Sequence, residues 1–136
     1  MRDLKNAALM LALAKEDLQA AEGMRLPANF SDRIFGFHAQ QAAEKALKAW
    51  LSLLGVDYPS THDLLALFSW LADTGEMVPG PFRELEFLTI FAVQFRYGIV
   101  QELDSELDRS AVLQQVKELI EYVAQLVAQE GPASPR

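Results

Sequence analysis

Residues 31–54 read SDRIFGFHAQQAAEKALKAWLSLL, and this stretch decides the fold. At about 100° per residue its apolar side chains share one broad helical face. That face comprises Phe35, Ala39, Ala42, Ala43, Ala46, Trp50 and Leu53. The opposite side is polar and carries Gln41, Glu44, Lys45 and Lys48. The pattern predicts one long amphipathic helix, which Gly55 ends.

Helical periodicity continues on both sides of this stretch. Residues 1–23 repeat Leu and Ala at steps of three and four, and residues 108–129 carry a seam of Val and Leu. Residues 82–95 are apolar around most of the circumference, which predicts a central helix or one at a subunit contact. A short helix is predicted from Leu64 through Leu71, ending near Gly75.

Together these segments predict an all-α protein. The expected architecture is an up-and-down antiparallel four-helix bundle with an additional short helix, five helices in all. The bundle is expected to span residues 1–130, and residues 131–136 are expected to form a disordered C-terminal tail.

Composition excludes several classes of protein. The 136 residues are 51% apolar, contain no cysteine and have a formal net charge of −7. Absence of cysteine excludes disulfide scaffolds, thiolate zinc sites and cysteine nucleophiles. The acidic balance disfavours a surface built mainly to bind phosphate backbones. No run is long and apolar enough for a membrane span. We therefore predict one soluble, cytoplasmic domain without a metal or other cofactor.

Three short blocks carry a resemblance to a known family. FHAQQAAEKALKA, residues 37–49, resembles the second-helix signature of the HEPN domain family (higher eukaryotes and prokaryotes nucleotide-binding). YPSTHDL, residues 58–64, resembles the connector and third-helix start of that family, and Arg96-Tyr97 matches its Arg-Tyr pair near the end of the fourth helix. The blocks occur in the family's order, and the five-helix plan covers nearly the whole chain.

The resemblance implies a helical bundle that is often a homodimer and that binds a nucleotide. Such proteins are commonly encoded beside a small nucleotidyltransferase, as in toxin–antitoxin-like or stress-response pairs. The ligand-binding residues it suggests here are His38, Gln41, Lys45, His62, Arg96 and Tyr97.

Some branches of the family are metal-independent ribonuclease toxins with an Arg-x(4–6)-His motif. After Arg96 the histidine positions hold Gln101, Glu102 and Leu103, so the motif is incomplete there. Its spacing occurs literally at Arg33 and His38, which makes these two the catalytic candidates for a ribonuclease, with Arg96 as the alternative arginine beside His38. On a regular helix a five-residue step turns about 140°, so the two side chains diverge unless the helix start is broken or a second protomer contributes.

Each candidate also has a structural interpretation. His38 fits a boundary histidine hydrogen-bonded to a neighbouring helix, and Arg96 fits a partner for an internal carboxylate such as Glu44. The acidic run Glu102–Asp108 fits a solvated loop. Around His62, Ser60 or Thr61 is expected to cap the third helix. A dimerisation module without any ligand therefore stays open as a further hypothesis.

Overall fold

A computed structural model of the protein describes residues 2–26, 29–97 and 107–130, without the side chains of residues 94–97. Its elements in chain order are α1 (Leu4–Gly23), α2 (Asp32–Leu53), α3 (Leu64–Asp73), α4 (Gly80–Arg83), a 3₁₀ helix (Glu84–Leu88), α5 (Thr89–Tyr97) and α6 (Arg109–Glu130). Because α4, the 3₁₀ helix and α5 follow one another without a gap, the described residues form five helical segments and contain no strand. This confirms the all-α prediction. The predicted tail, residues 131–136, lies outside the described residues.

Contacts between helix ends give the directions of the long helices. The backbone N–H of Asp3, at the start of α1, donates to the carbonyl of Ser52 at the end of α2 (2.9 Å). Arg2 forms an ion pair with Glu130, the last residue of α6. Helix α1 therefore runs antiparallel to both α2 and α6, as an up-and-down bundle requires.

Arg109 fixes the other end of the bundle. Its guanidinium is buried and donates to the carbonyls of Met24 (2.7 Å) and Phe30 (2.8 Å) and to the Asp32 carboxylate (2.8 Å). The first residue of α6 therefore holds the end of α1 and the start of α2 together.

The segment from residue 80 to residue 97 departs from the single regular helix that the sequence predicts. It begins with a short α turn and continues as a 3₁₀ helix before α5. Phe82, Leu85, Leu88 and Phe91 are all buried at steps of three. Leu85 and Leu88 lie in the 3₁₀ helix, whose 3.0 residues per turn place side chains three apart on the same side, which a regular α-helix does less closely. Phe87 and Val93 stay about 40% exposed, so this segment is central on one side only.

The start of α2 approaches α5 very closely at Gly36. A Cβ built on Gly36 would lie 2.3 Å from Cγ of the Phe91 ring, which is itself buried. Glycine is therefore required by packing at this point of the helix. This contact sets the distance between α2 and the segment that carries Arg96 and Tyr97.

The start of α3 corrects a smaller prediction. Asp63 is the N-cap, and its carboxylate accepts from the backbone N–H of Leu65 (3.0 Å). Thr61 instead accepts from the backbone N–H of Asp63 (3.1 Å), so it supports the cap without being one.

Among the described helices none is both long and apolar enough to cross a membrane.

Candidate functional site

The polar side of α2 is buried to an extent that its sequence does not predict. Gln40, Gln41 and Glu44 are 0%, 8% and 3% exposed. Helix α1 packs along one flank of α2, and the connector before α3 reaches the other flank through His62. Polar groups in such a position are stable only when their hydrogen bonds are satisfied.

Glu44 is the centre of one cluster of such groups. Its Oε1 accepts from Gln40 Nε2 (3.0 Å), Gln41 Nε2 (3.3 Å) and His62 Nδ1 (2.9 Å). Its Oε2 accepts from Lys48 Nζ (2.9 Å). We call these five residues the Glu44 cluster. The hydrogen bonds from its donors compensate the free-energy cost of removing the Glu44 carboxylate from water. They also join α2 to the connector.

Asp17 of α1 is the centre of a second cluster. Its Oδ1 lies 3.1 Å from His38 Nδ1, and its Oδ2 accepts from Lys45 Nζ at 2.5 Å. The Asp17 carboxylate is 15% exposed, His38 29% and Lys45 25%. We call these three residues the Asp17 cluster. The hydrogen bond of His38 to a neighbouring helix, expected from its structural interpretation, is confirmed.

Three of the predicted ligand residues share one face of α2. His38, Gln41 and Lys45 stand at steps of three and four, so they form a single row that we call the polar stripe. The Asp17 cluster holds both ends of the stripe, and the Glu44 cluster holds its middle residue. His62 joins through Glu44. Four of the six predicted ligand residues thus lie in two adjacent hydrogen-bonded clusters.

Arg33 is placed differently from His38. It is exposed in the first turn of α2 and makes no hydrogen bond or ion pair with the rest of the described chain. Because α2 is unbroken from Asp32 onward, the turn of about 140° between the two residues separates their side chains within one protomer. The pair remains a prediction that needs a second copy of the chain.

The remaining candidates fall partly outside what the structure describes. Arg96 and Tyr97 end α5, but their side chains lie outside the described residues. Gln101, Glu102 and Leu103 lie outside them altogether, as does most of the acidic run. The proposed pairing of Arg96 with a carboxylate therefore stays a prediction.

Two features of the site were missed by inspection of the sequence. Asp17 lies off the Leu and Ala repeat of the first helix, and periodicity shows which residues avoid that repeat but not how two helices align. Glu44 is predicted on the polar side of α2 or as a partner of Arg96, and neither prediction includes its hydrogen bonds to Gln40, Gln41 and His62. The close run of Gln40, Gln41 and Glu44 is a usable signal, since these three carry donors and acceptors that fit one another at helical spacing.

A separate polar group lies where α1 begins and α2 ends. Asn6 Nδ2 donates to Ser52 Oγ (2.7 Å) and to the Tyr58 hydroxyl (3.1 Å). A cleft of about 470 Å³ opens beside it. The cleft is lined by Arg2, Asp3, Asn6, Ser52, Gly55, Val56, Asp57 and Tyr58. Its arginine is paired with Glu130, so the remaining charges are acidic and do not suit a phosphate.

The charges around the polar stripe limit the kind of ligand that it can bind. Lys45 and Lys48 each bind a carboxylate of the protein, so the surface is not strongly basic. A phosphate arriving at Lys45 would share this ammonium with Asp17, and the partly exposed His38 ring would adjoin it. The arrangement suits a single small anionic ligand better than a long polyanion, whose binding needs many unpaired cations.

Comparison with known proteins assigns the chain to a family. Searches of curated proteins and of solved structures gave no match. A scan against protein-family models matched the HEPN domain over residues 7–126, which includes α1, α2 and α6 almost entirely as well as the two clusters. The match covers most of the chain, and the chain therefore belongs to the HEPN domain family.

Proposed function

We propose that the protein is a nucleotide-binding HEPN module whose ligand lies on the polar stripe of α2. We further propose that it acts as a homodimer and as the partner of a small nucleotidyltransferase in a toxin–antitoxin-like or stress-response pair. The partner and the dimer are proposed from family membership. The observation that carries the binding proposal is the row of His38, Gln41 and Lys45 beside the buried Glu44 carboxylate and the partly buried Asp17 carboxylate.

The stripe offers the chemistry that a nucleotide needs. Lys45 is a quarter exposed and carries a positive charge that can bind a phosphate. His38 has a second ring nitrogen, Nε2, that is available for a hydrogen bond with the ligand. Gln41 stands between them on the helix and suits a base or a ribose hydroxyl. Arg96 and Tyr97 are expected to complete the site, because α5 packs against the start of α2 at Gly36.

Thermal unfolding with and without nucleotide tests this proposal. A ligand specific for the native state at a hundred times its Kd adds about 2.7 kcal/mol to the free energy of unfolding. For a chain of this size we expect the midpoint to rise by about 5–10 °C. Nucleoside mono-, di- and triphosphates are compared at one ionic strength, with inorganic phosphate as the reference. No rise with any nucleotide beyond that seen with phosphate would contradict the proposal.

One observation favours a second candidate function, a metal-independent ribonuclease. The hydrogen bond from His38 Nδ1 to Asp17 orients the imidazole and leaves Nε2 for proton transfer. Arg33 is exposed, so it is accessible to a second copy of the chain across a dimer. In this arrangement each active site would take Arg33 from one protomer and His38 from its partner.

A mixing experiment tests this second candidate. Arg33→Ala and His38→Ala each abolish RNA cleavage in the presence of EDTA if both residues are catalytic. When the two variants are mixed and reassembled, half of the dimers contain one intact site, so about a quarter of the original activity returns. Activity that stays absent in the mixture would exclude a site shared across the dimer. Absence of cleavage by the unmodified protein would exclude the ribonuclease.

A further inference from the structure

The buried amides of the Glu44 cluster have a fixed orientation. A carboxylate accepts hydrogen bonds and donates none, and the same holds for a backbone carbonyl. Gln40 places one side-chain amide atom 3.0 Å from Glu44 Oε1 and 2.9 Å from the carbonyl oxygen of His62. Both neighbours are acceptors, so this atom must be the amide nitrogen. Its two hydrogens are then used, and Gln40 Oε1 points towards Gln41.

The orientation of the Gln40 amide fixes the orientation of the Gln41 amide. Gln41 Nε2 lies 2.7 Å from Gln40 Oε1 and 3.3 Å from Glu44 Oε1. Both are again acceptors, so both hydrogens of this nitrogen are committed as well. What remains of the Gln41 amide is its oxygen, which accepts no hydrogen bond from the described residues. The one buried side-chain N or O atom without a partner in the described chain is Arg109 Nε, so Gln41 Oε1 reaches the surface.

His38 contributes a second oriented group to the same stripe. Asp17 Oδ1 is an acceptor 3.1 Å from His38 Nδ1, so the proton of this hydrogen bond is on Nδ1. In the neutral imidazole the other nitrogen, Nε2, is then an acceptor. The partly buried Asp17 and the buried Glu44 therefore orient the His38 ring and the Gln41 amide, and Gln41 Oε1 is the acceptor that faces outward. Lys45 adds a cation one helical turn beyond Gln41.

We propose that the polar stripe selects a nucleobase through an amino group, with Gln41 Oε1 as the specificity-determining acceptor. The inference rests on the proposed nucleotide binding and extends it to the class of base. An amino group brings two hydrogens and no competing lone pair to this surface. A base that lacks the amino group leaves Gln41 Oε1 without a donor, and an unpaired acceptor in a covered site strongly disfavours binding. Adenine, cytosine and guanine are the bases that carry such a group.

Matched nucleotide pairs test this inference. Adenosine 5′-monophosphate is compared with purine riboside 5′-monophosphate, cytidine 5′-monophosphate with its 4-deamino analogue, and guanosine 5′-monophosphate with inosine 5′-monophosphate. The members of each pair differ only in the amino group or its replacement at one ring position. For the base that binds most tightly, we expect the amino-bearing member to have a Kd about tenfold lower.

Two variants and one control locate the effect. Gln41→Met removes the acceptor at similar volume and should abolish the tenfold difference. Glu44→Gln replaces the carboxylate by an amide that can turn either way, so the orientation of Gln40 and Gln41 is no longer fixed and the difference should shrink. Gln114→Met is the matched control, because Gln114 is an exposed glutamine on α6 that donates to Glu118 (3.0 Å). It should leave the difference unchanged.

The outcomes separate this inference from the proposed function. Equal affinities within every pair, or a difference that survives Gln41→Met, would overturn the inference while nucleotide binding itself stands. Failure of all six nucleotides to bind would overturn both. A tenfold difference that Gln41→Met abolishes and Gln114→Met preserves would establish Gln41 as the determinant.

Discussion

Replacing Glu44 by leucine is expected to lower the free energy of unfolding by about 3–5 kcal/mol, as breaking a buried ion pair does. The carboxylate accepts hydrogen bonds from four side chains, and Lys48 is only 12% exposed. Without Glu44 the Lys48 ammonium loses its acceptor, and the buried amides of Gln40 and Gln41 each lose one of two acceptors. Since domains of this kind are stable by about 5–15 kcal/mol, the loss is a large part of the total. Chemical denaturation followed by circular dichroism measures it.

A matched glutamate on α6 provides the control for Glu44. Glu118 also accepts from a glutamine four residues away, but it is exposed. Glu118→Leu should change the free energy of unfolding by less than about 0.5 kcal/mol, as surface substitutions usually do. If the two leucine variants were equally stable, the Glu44 cluster would not be a buried network.

Replacing Gly36 by alanine is expected to destabilise the protein by about 3 kcal/mol, the upper range for overpacking a core. In the middle of a helix the change from glycine to alanine normally stabilises by up to about 1 kcal/mol, so the expected sign is reversed. The reason is the Phe91 ring, whose three nearest atoms lie 2.3–2.5 Å from the new Cβ. The ring is 1% exposed and cannot move into solvent without opening the core.

Two further variants make the Gly36 prediction specific. Gly23→Ala, at the end of α1, places its Cβ in open space, so it should be neutral or slightly stabilising. Phe91→Leu destabilises alone by removing ring volume, but combined with Gly36→Ala it should recover part of the loss. A double-mutant cycle measures this coupling, and additive effects would show that the two residues do not oppose each other.

The sequence predicts most of the helical architecture, because the apolar faces are strongly periodic. In α1 the buried residues Ala7, Leu11, Ala14 and Leu18 all belong to the predicted seam. The segment at residues 82–95 was less predictable. Its apolar residues fit both a 3.6-residue and a 3.0-residue period, and only packing against the rest of the core decides between them.

The candidate site was predictable only in part, for physical reasons. His38, Gln41 and Lys45 are predicted only through a family resemblance. Asp17 lies on another helix, 21 residues from His38 along the chain, and its contact depends on how α1 and α2 align. Glutamate is a residue type that is usually exposed to solvent. The burial of Glu44 follows from the position of the connector that carries His62. Neither arrangement is encoded in the period of a single helix.

The central claim is that a nucleotide binds at the polar stripe of α2, and removal of one charge tests it most directly. Nucleotide-induced stabilisation is measured for Lys45→Met and for Lys117→Met, the latter altering an exposed lysine of α6. We predict that affinity falls about tenfold or more in the first variant, because a charge-assisted contact to phosphate is lost, and stays unchanged in the second. Equal stabilisation of both variants by nucleotide would contradict a site at Lys45.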